Sequence, residues 1–368
     1  MGTHPLWTGY RHRTVDSDGW MTFWRLDPRE QPFEVHDWLG RPERPGHRLW
    51  SRAATPAGVR ATWRTSATSV TLELRASLDI YQEIAPVDFL VNGELHQRCP
   101  VEPGEQTITV QLPTASPTPS EESAELPTAS PTPSGESVEL STASSTRSAE
   151  SIELQIWLPH GGAIGVREVV FDGEAEPMPP VGPRWITYGS SITQCTGSYG
   201  PSETWPALVA RQHGWDLVAL GLAGECHLDP IAARTIRDTP ARLISLCLGI
   251  NIYGGETFGG RTLPGQVEAF LSTVREGHPH TPIVVITPLT APNLEGKPNA
   301  LGLTLDDIRA CVELGARTRR DPDLQLIDGR TILTTEEAQT LYADDVHPNA
   351  DGYRLIAERL APLLTLPL

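Results

Sequence analysis

The 368-residue chain is long for one domain and suits two. Its formal net charge is −17, with 46 acidic against 29 basic side chains, so it lacks the basic face of a duplex-binding protein, and nucleic acid is not the expected partner. Apolar residues make up 39% and charged residues 20%, enough to bury a core despite 34 prolines and 32 glycines.

The N-terminus, MGTHPLWTGYRHRTVDSDGW, has no apolar run of the signal-peptide kind, and Leu6 breaks the myristoylation pattern. No stretch approaches the ~18 apolar residues of a membrane span. A cytoplasmic protein without a membrane partner is the expectation. The five cysteines, Cys99, Cys195, Cys226, Cys247 and Cys311, are odd in number and widely spaced, which reads as free thiols. The lack of a CxxC pair argues against structural zinc.

The first half reads as strands. ATWRTS, SVTLELRA, VDFLVNG, QTITVQL, SIELQIWL and REVVFDG are short, rich in Val, Ile, Thr and Trp, and separated by turn formers. Few helical periods appear before residue 180. The pattern predicts a β-sandwich of jelly-roll type over ~10–175 and an N-terminal domain of residues 1–178. Trp7, Trp20, Trp24, Trp38, Trp50, Trp63 and Trp157 fall here. Exposed, they would stack sugars; packed, they would build the core and the domain interface, and packing is the expected use.

Residues 112–153 interrupt this pattern. LPTASPTPSEESAE, LPTASPTPSGESVE and LSTASSTRSAESIE are one 14-residue unit repeated three times, too polar to build a core. Each unit imitates the junction between QTITVQLP and SIELQIWLP, so a hairpin loop duplicated twice is the expected origin.

After residue 180 strands and helices alternate. RWITYG, DLVALG, RLISLCLG, TPIVVITP and LQLIDG are apolar strands. Between and after them, SETWPALVARQHG reads as a helix with Ser202 as N-cap and Gly214 as C-cap residue, and LDPIAARTIRD as one opened by Asp229 and Pro230. PGQVEAFLSTVREGH is another, TLDDIRACVELGART carries capping-box spacing at Thr304 and Asp307, and NADGYRLIAERLAPLL closes the chain. Five apolar strands joined by helices predict a five-stranded parallel sheet in an α/β/α domain, residues 179–368, with its ligand at the carboxyl ends of the strands.

Residues just past those strand ends carry chemistry. Gly189-Ser190-Ser191 comes after the first strand, Gly221-Leu222-Ala223-Gly224 after the second and Gly249-Ile250-Asn251 after the third; Asp344-Asp345-Val346-His347 precedes the last helix. A serine hydroxyl needs an adjacent base, which His347 can be. Asp344 can accept the other imidazole N–H and fix its tautomer. An oxyanion needs donors, and the N–H groups of Ser191 and Gly224 with the Asn251 amide supply three. Asp345 is a rival orienter, and Gly221 a rival for close approach to substrate.

In order and spacing these residues resemble the SGNH, or GDSL-type, hydrolases: GSSIT, Gly224, Gly249-x-Asn251, and Asp344-x-x-His347 with Pro348 next. The resemblance covers ~180–365. It implies a three-layer α/β/α fold and an acyl-Ser191 intermediate, with no metal and no cofactor. Two positions depart from the family pattern, Ser190 and Ile252 standing where an aspartate is usual, which puts the bracing of the nucleophile loop and of Asn251 in question. Thr193 stands where the nucleophile elbow of the α/β-hydrolases has glycine. Tyr253, His227 and Glu295 are candidates to line the substrate site, and Cys195 and Cys226 flank its loops.

Two-domain relatives of this build include carbohydrate esterases and acyltransferases that decorate polyketides. The first expectation is an esterase cleaving an acyl ester of an alcohol or sugar hydroxyl. The second is an acyltransferase moving an acyl group from a thioester such as acyl-CoA to a hydroxylated acceptor. The third is a carbohydrate-binding module whose SGNH domain is inactive, against which the intact triad speaks.

Overall fold

The computed structural model describes residues 6–30, 47–78, 83–113 and 151–366. The strands before residue 180 are β1 (His12–Val15), β2 (Met21–Trp24), β3 (Arg60–Thr65), β4 (Ser69–Ser77), β5 (Val87–Val91), β6 (Glu94–Cys99), β7 (Gly104–Gln111), β8 (Ile152–Trp157), β9 (Ala163–Phe171) and β10 (Ala175–Met178). They form two antiparallel five-stranded sheets, ordered β1-β2-β9-β4-β7 and β10-β3-β8-β5-β6, and build a β-sandwich. Alternation places the core: β4 buries Val70, Leu72, Leu74 and Ala76 and turns the residues between them outward. The structure adds β1, β2, β6 and β10 to the expected strands. Of these, β1, β6 and β10 are edge strands, and β6 (ELHQRC) exposes most of both faces, so no alternation marks it.

A helix also precedes residue 180, α1 (His47–Ala54), in a region where none is expected. Its Leu49, Trp50, Ala53 and Ala54 join the apolar cluster of the second half, together with Trp24 and Trp157. Trp7 and Trp63 pack within the sandwich core, and Trp20 is buried as well. The tryptophans therefore build core and interface; Trp38 lies outside the described residues. So do residues 114–150, most of the repeat. Its flanking strands correct the hairpin expectation: β7 is an edge of the first sheet and β8 is central in the second, so the two are not a hairpin pair.

In the second half β11 (Arg184–Gly189) leads to α2 (Ser191–Gln194) and α3 (Trp205–His213). Next come β12 (Asp216–Gly221), α4 (Pro230–Arg237), β13 (Leu243–Cys247), α5 (Ile250–Gly255) and α6 (Leu263–Gly277). The chain ends with β14 (Ile283–Ile286), α7 (Leu305–Thr318), β15 (Leu324–Ile327), α8 (Thr335–Leu341) and α9 (Ala350–Leu360). The five strands make one parallel sheet, β12-β11-β13-β14-β15. β12 and β13 are buried at every position because helices cover both faces. This is the three-layer α/β/α arrangement.

The caps explain the helix starts. Thr304 and Asp307 form the expected capping box of α7, and Gly214 closes α3 in the left-handed region. Ser202 does not cap α3; Thr204 does, accepting from the Ala207 N–H. Ser202 lies in a short 3-10 turn and donates its hydroxyl to Asp88 of β5 at 2.6 Å.

That bond belongs to a polar seam between sandwich and parallel sheet. Asp88, fully buried, also accepts from Arg98 at 2.7 Å. Asp216 takes Arg60 at 2.9 Å from the sandwich and Arg184 at 2.8 Å from its own sheet. Buried carboxylates are tolerable only with such partners, and removing one partner costs on the order of 3–5 kcal/mol. The seam thereby fixes how the two parts meet. Among the described residues, no helix is long and apolar enough to cross a membrane.

Candidate active site

The site forms where β11, β12 and β13 end. Ser190 follows β11 and caps α2, its Oγ accepting from the Ile192 N–H at 3.2 Å, so a serine supplies the N-terminal acceptor that an aspartate would. Ser191 is the first residue of α2 and is buried. Its Oγ–H donates to His347 Nε2 at 2.8 Å. His347 Nδ1–H donates to Asp344 Oδ2 at 2.8 Å. The other Asp344 oxygen accepts the N–H groups of Val346 and His347, each at 2.7 Å. Partial burial would raise the Asp344 carboxyl, but the bonds from the His347 ring and the two N–H groups hold it below its ordinary value. Asp345 is turned away and accepts from Asn293 Nδ2 at 2.7 Å, so the carboxylate facing the imidazole is Asp344.

Gly224 and Asn251 lie in the same cleft as Ser191. Gly224 has φ +75°, a conformation that suits glycine. Asn251 Oδ1 accepts the Cys226 N–H at 3.0 Å, which leaves its Nδ2 as the free end of the amide. Ile252, at the second departure from the family pattern, is fully buried in the core. Gly221 has a different use from Gly224: a Cβ there would collide with the Gln194 backbone nitrogen, so it admits the close packing of α2 on β12.

Ser191, Gly224, Asn251 and His347 line one cleft of about 830 Å³. Tyr253 lines it too, with its hydroxyl donated to the Lys297 carbonyl at 2.9 Å. His227 and Glu295 do not. His227 donates from Nε2 to the Gly224 carbonyl at 3.0 Å and accepts from Thr257 at Nδ1, and so braces the loop from outside. Glu295 is held by Arg309 in a bidentate pair at 2.6 and 2.7 Å, because the Arg309 guanidinium is nearly buried and needs a counter-charge. Its neighbour Leu294 reaches the cleft instead. All five cysteines are free. Burial pushes the thiols of Cys195 and Cys226 well up and that of Cys247 up to about 12, so none is an activated nucleophile.

The opposite wall comes from the sandwich, and no expectation from the sequence points to it. Arg48 and Arg52 of α1, the Ile84–Pro86 segment, His160 and Gly161 line it. Arg48 pairs with Glu225 at 3.0 Å. Burial lowers the His160 ring to about pH 4, so it stands neutral, with Ser198 Oγ at 3.1 Å from Nε2. The available signal was HRLWSRAA, in which two arginines four residues apart share one helix face while the apolar residues take the other.

Residues 187–355 match the GDSL-like lipase/acylhydrolase family. That segment is a domain of the SGNH, or GDSL-type, hydrolase family. The chain is an enzyme of that type, an esterase or acyltransferase. Among solved structures it is similar to a salicylyl-acyltransferase from a tetracycline biosynthetic pathway, at 28% identity, TM-score 0.75, over 96% of this chain and 92% of that one. A protein of GDSL-like lipase type from Bacteroides ovatus shares the fold at 16% identity and TM-score 0.69, over 99% and 97% of the two chains. A family two carbohydrate esterase from Cellvibrio japonicus shares it at 14% and 0.57, over 98% and 94%. No curated protein sequence matches the chain.

Proposed function

We propose that this enzyme loads an acyl group onto Ser191 and passes it to a hydroxyl of a second small molecule. The observation that carries the acyl-Ser191 step is the unbroken line of contacts from Ser191 Oγ through the His347 ring to Asp344, both at 2.8 Å. Ser191 Oγ attacks the acyl carbonyl of a thioester while His347 Nε2 takes its proton. The carbonyl oxygen becomes an oxyanion facing the N–H groups of Ser191 and Gly224 and the Asn251 amide. The C–S bond breaks as His347 returns the proton to the sulfur. An acceptor hydroxyl then attacks the acyl ester, His347 takes that proton, and Ser191 leaves by receiving it. Asp344 keeps the imidazole in the required tautomer throughout.

Similarity to the salicylyl-acyltransferase along nearly the whole of both chains supports transfer, as does a two-walled cleft large enough for an acyl group and its acceptor together. The same reading divides the chain near residue 178, between β10 of the sandwich and β11 of the parallel sheet. Hydrolysis is the second reading. The Asp344 side chain is 58% exposed, so water has access to that end of the triad.

The test is a partition experiment. The enzyme is incubated with an acyl thioester, with and without a panel of hydroxylated acceptors, and with p-nitrophenyl acetate. Ester product that outruns free acid supports transfer. Free acid alone at a rapid rate makes it an esterase. No turnover, with Ser191 unlabelled by a fluorophosphonate, contradicts both readings.

A further inference from the structure

Ala223 is held at both of its backbone polar groups, and the Ala223–Gly224 peptide at its carbonyl. The Ala223 N–H donates to Gln194 Oε1 at 3.0 Å, and Gln194 lies one turn after Ser191 on α2. The Ala223 carbonyl accepts from Arg52 Nε at 3.0 Å, and Arg52 is 2% exposed and comes from α1, 171 residues earlier in the chain. This peptide is trans, so its carbonyl and the Gly224 N–H point in opposite directions in one plane. Fixing the carbonyl on Arg52 therefore fixes the aim of the Gly224 N–H. A guanidinium on the carbonyl also polarises the peptide and strengthens its N–H as a donor.

Arg52 is itself held in place. Fully buried Arg25, from the sandwich, donates to the Arg52 carbonyl, to the Ala219 and Gly221 carbonyls at the end of β12, and to Gln194 Oε1. Its backbone N–H donates to the Ala53 carbonyl at 2.7 Å, tying down the last turn of α1. Burial, and then the Arg52 charge, bring its pKa down to about 9. A buried cation of this kind costs stability. Its described partners are all neutral acceptors on the nucleophile helix, the end of β12 and α1, so this cost goes into aligning these pieces.

We infer that Arg52 is a positioning residue for acyl transfer, acting through the Ala223–Gly224 peptide to aim the Gly224 N–H at the oxyanion, with Arg25 holding Arg52 and the loop in register. The sandwich is then part of the catalytic machinery. The inference rests on the acyl-Ser191 reading.

Three variants of the full chain test it. Arg52→Gln keeps an N–H donor at the chain position of Nε and removes the charge. Arg52→Lys keeps the charge and moves the donor one atom further out. Arg52→Met fills similar space and removes the donor. Each is checked for its melting temperature, kcat and KM on an activated ester, and affinity for a boronic acid that forms a tetrahedral anionic adduct. One oxyanion donor is typically worth about 10²–10³ in kcat, and misaiming one costs part of that. The expected result is a loss of about 10–100-fold in kcat for Met, with KM within about twofold, and boronate affinity falling in step. Gln retains more kcat than Lys. If Met does not fold, the order of Gln and Lys decides alone.

Lys above Gln, or KM rising while kcat holds, would overturn the proposal, because Arg52 would then be serving as a charge or a substrate contact. Equal kcat in all three variants and wild type would do the same. Fluorophosphonate labelling of wild type separates the two levels. An unlabelled Ser191 sinks the acyl-serine reading and this proposal with it, whereas a labelled Ser191 with the wrong variant order sinks only the role of Arg52.

Discussion

The two walls of the cleft do different work by different means. In the proposed reaction the wall from the parallel sheet brings the reacting groups: Ser191, Gly224 and Asn251 come within a few residues of strand ends, and His347 sits in a tight loop closed by a backbone bond from the Ala343 N–H to the His347 carbonyl. The wall from the sandwich places no group in hydrogen-bond contact with Ser191 among the described residues. From that side, Arg25 and Arg52 place donors on backbone carbonyls of the other wall, at Ala219, Gly221 and Ala223. On the proposed mechanism the contrast teaches that chemistry is local to one sheet edge, while its alignment is imposed from the far end of the chain.

Removing the nucleophile tests that division most severely. Ser191→Ala is expected to lower kcat/KM by about 10⁴-fold or more while the melting temperature stays within a few degrees, read by steady-state assay and calorimetry. Residual activity near wild type would move the nucleophile elsewhere. One step smaller, Asp344→Asn should cost about 10²–10⁴-fold, with Asp345→Asn within about threefold. The reverse order in the same assay would transfer the orienting role to Asp345.

On the sandwich wall, His160 makes a pH prediction. Its folded-state pKa of about 4 lies below its ordinary value of 6.5, through burial. As pH falls the unfolded chain takes the proton first. This contribution to stability is therefore complete above about pH 6.5 and is lost progressively toward pH 4, by on the order of 3 kcal/mol. Denaturant unfolding of wild type and His160→Gln across that range should show the wild-type curve falling more steeply; parallel curves would mean the ring is not held neutral. The smallest effect is expected from deleting residues 112–139. Leu140 can then replace buried Leu112 at the start of the remaining unit, and loop length enters closure entropy only logarithmically. A melting temperature changed by more than about 5 °C would give the repeat a structural role.

Much of the first wall was legible in the sequence because its signals are short-range. Gly224, Asn251, Asp344 and His347 each stand at fixed spacing from an apolar run, and continuous runs such as DLVALG reveal strands covered on both faces. The sandwich was legible only where one face is buried, as in β4, and edge strand β6 escaped because its exposed residues do not alternate. His227 and Glu295 sat near the site in sequence yet turn away from it, since a backbone carbonyl and a nearly buried arginine claim them. Arg25 and Arg52 were illegible for the opposite reason: their acceptors are carbonyls some 170–200 residues away, and a carbonyl leaves no mark on side-chain identity.

The acyl-enzyme itself is the most direct object to measure. The full-length protein, mixed with an acyl thioester and acid-quenched, is analysed by intact-mass and peptide mass spectrometry. The account predicts a gain of one acyl group on the peptide bearing Ser191, lost when a hydroxylated acceptor is added before the quench. An unmodified Ser191 under turnover, or an acyl group found only on a cysteine, would contradict it.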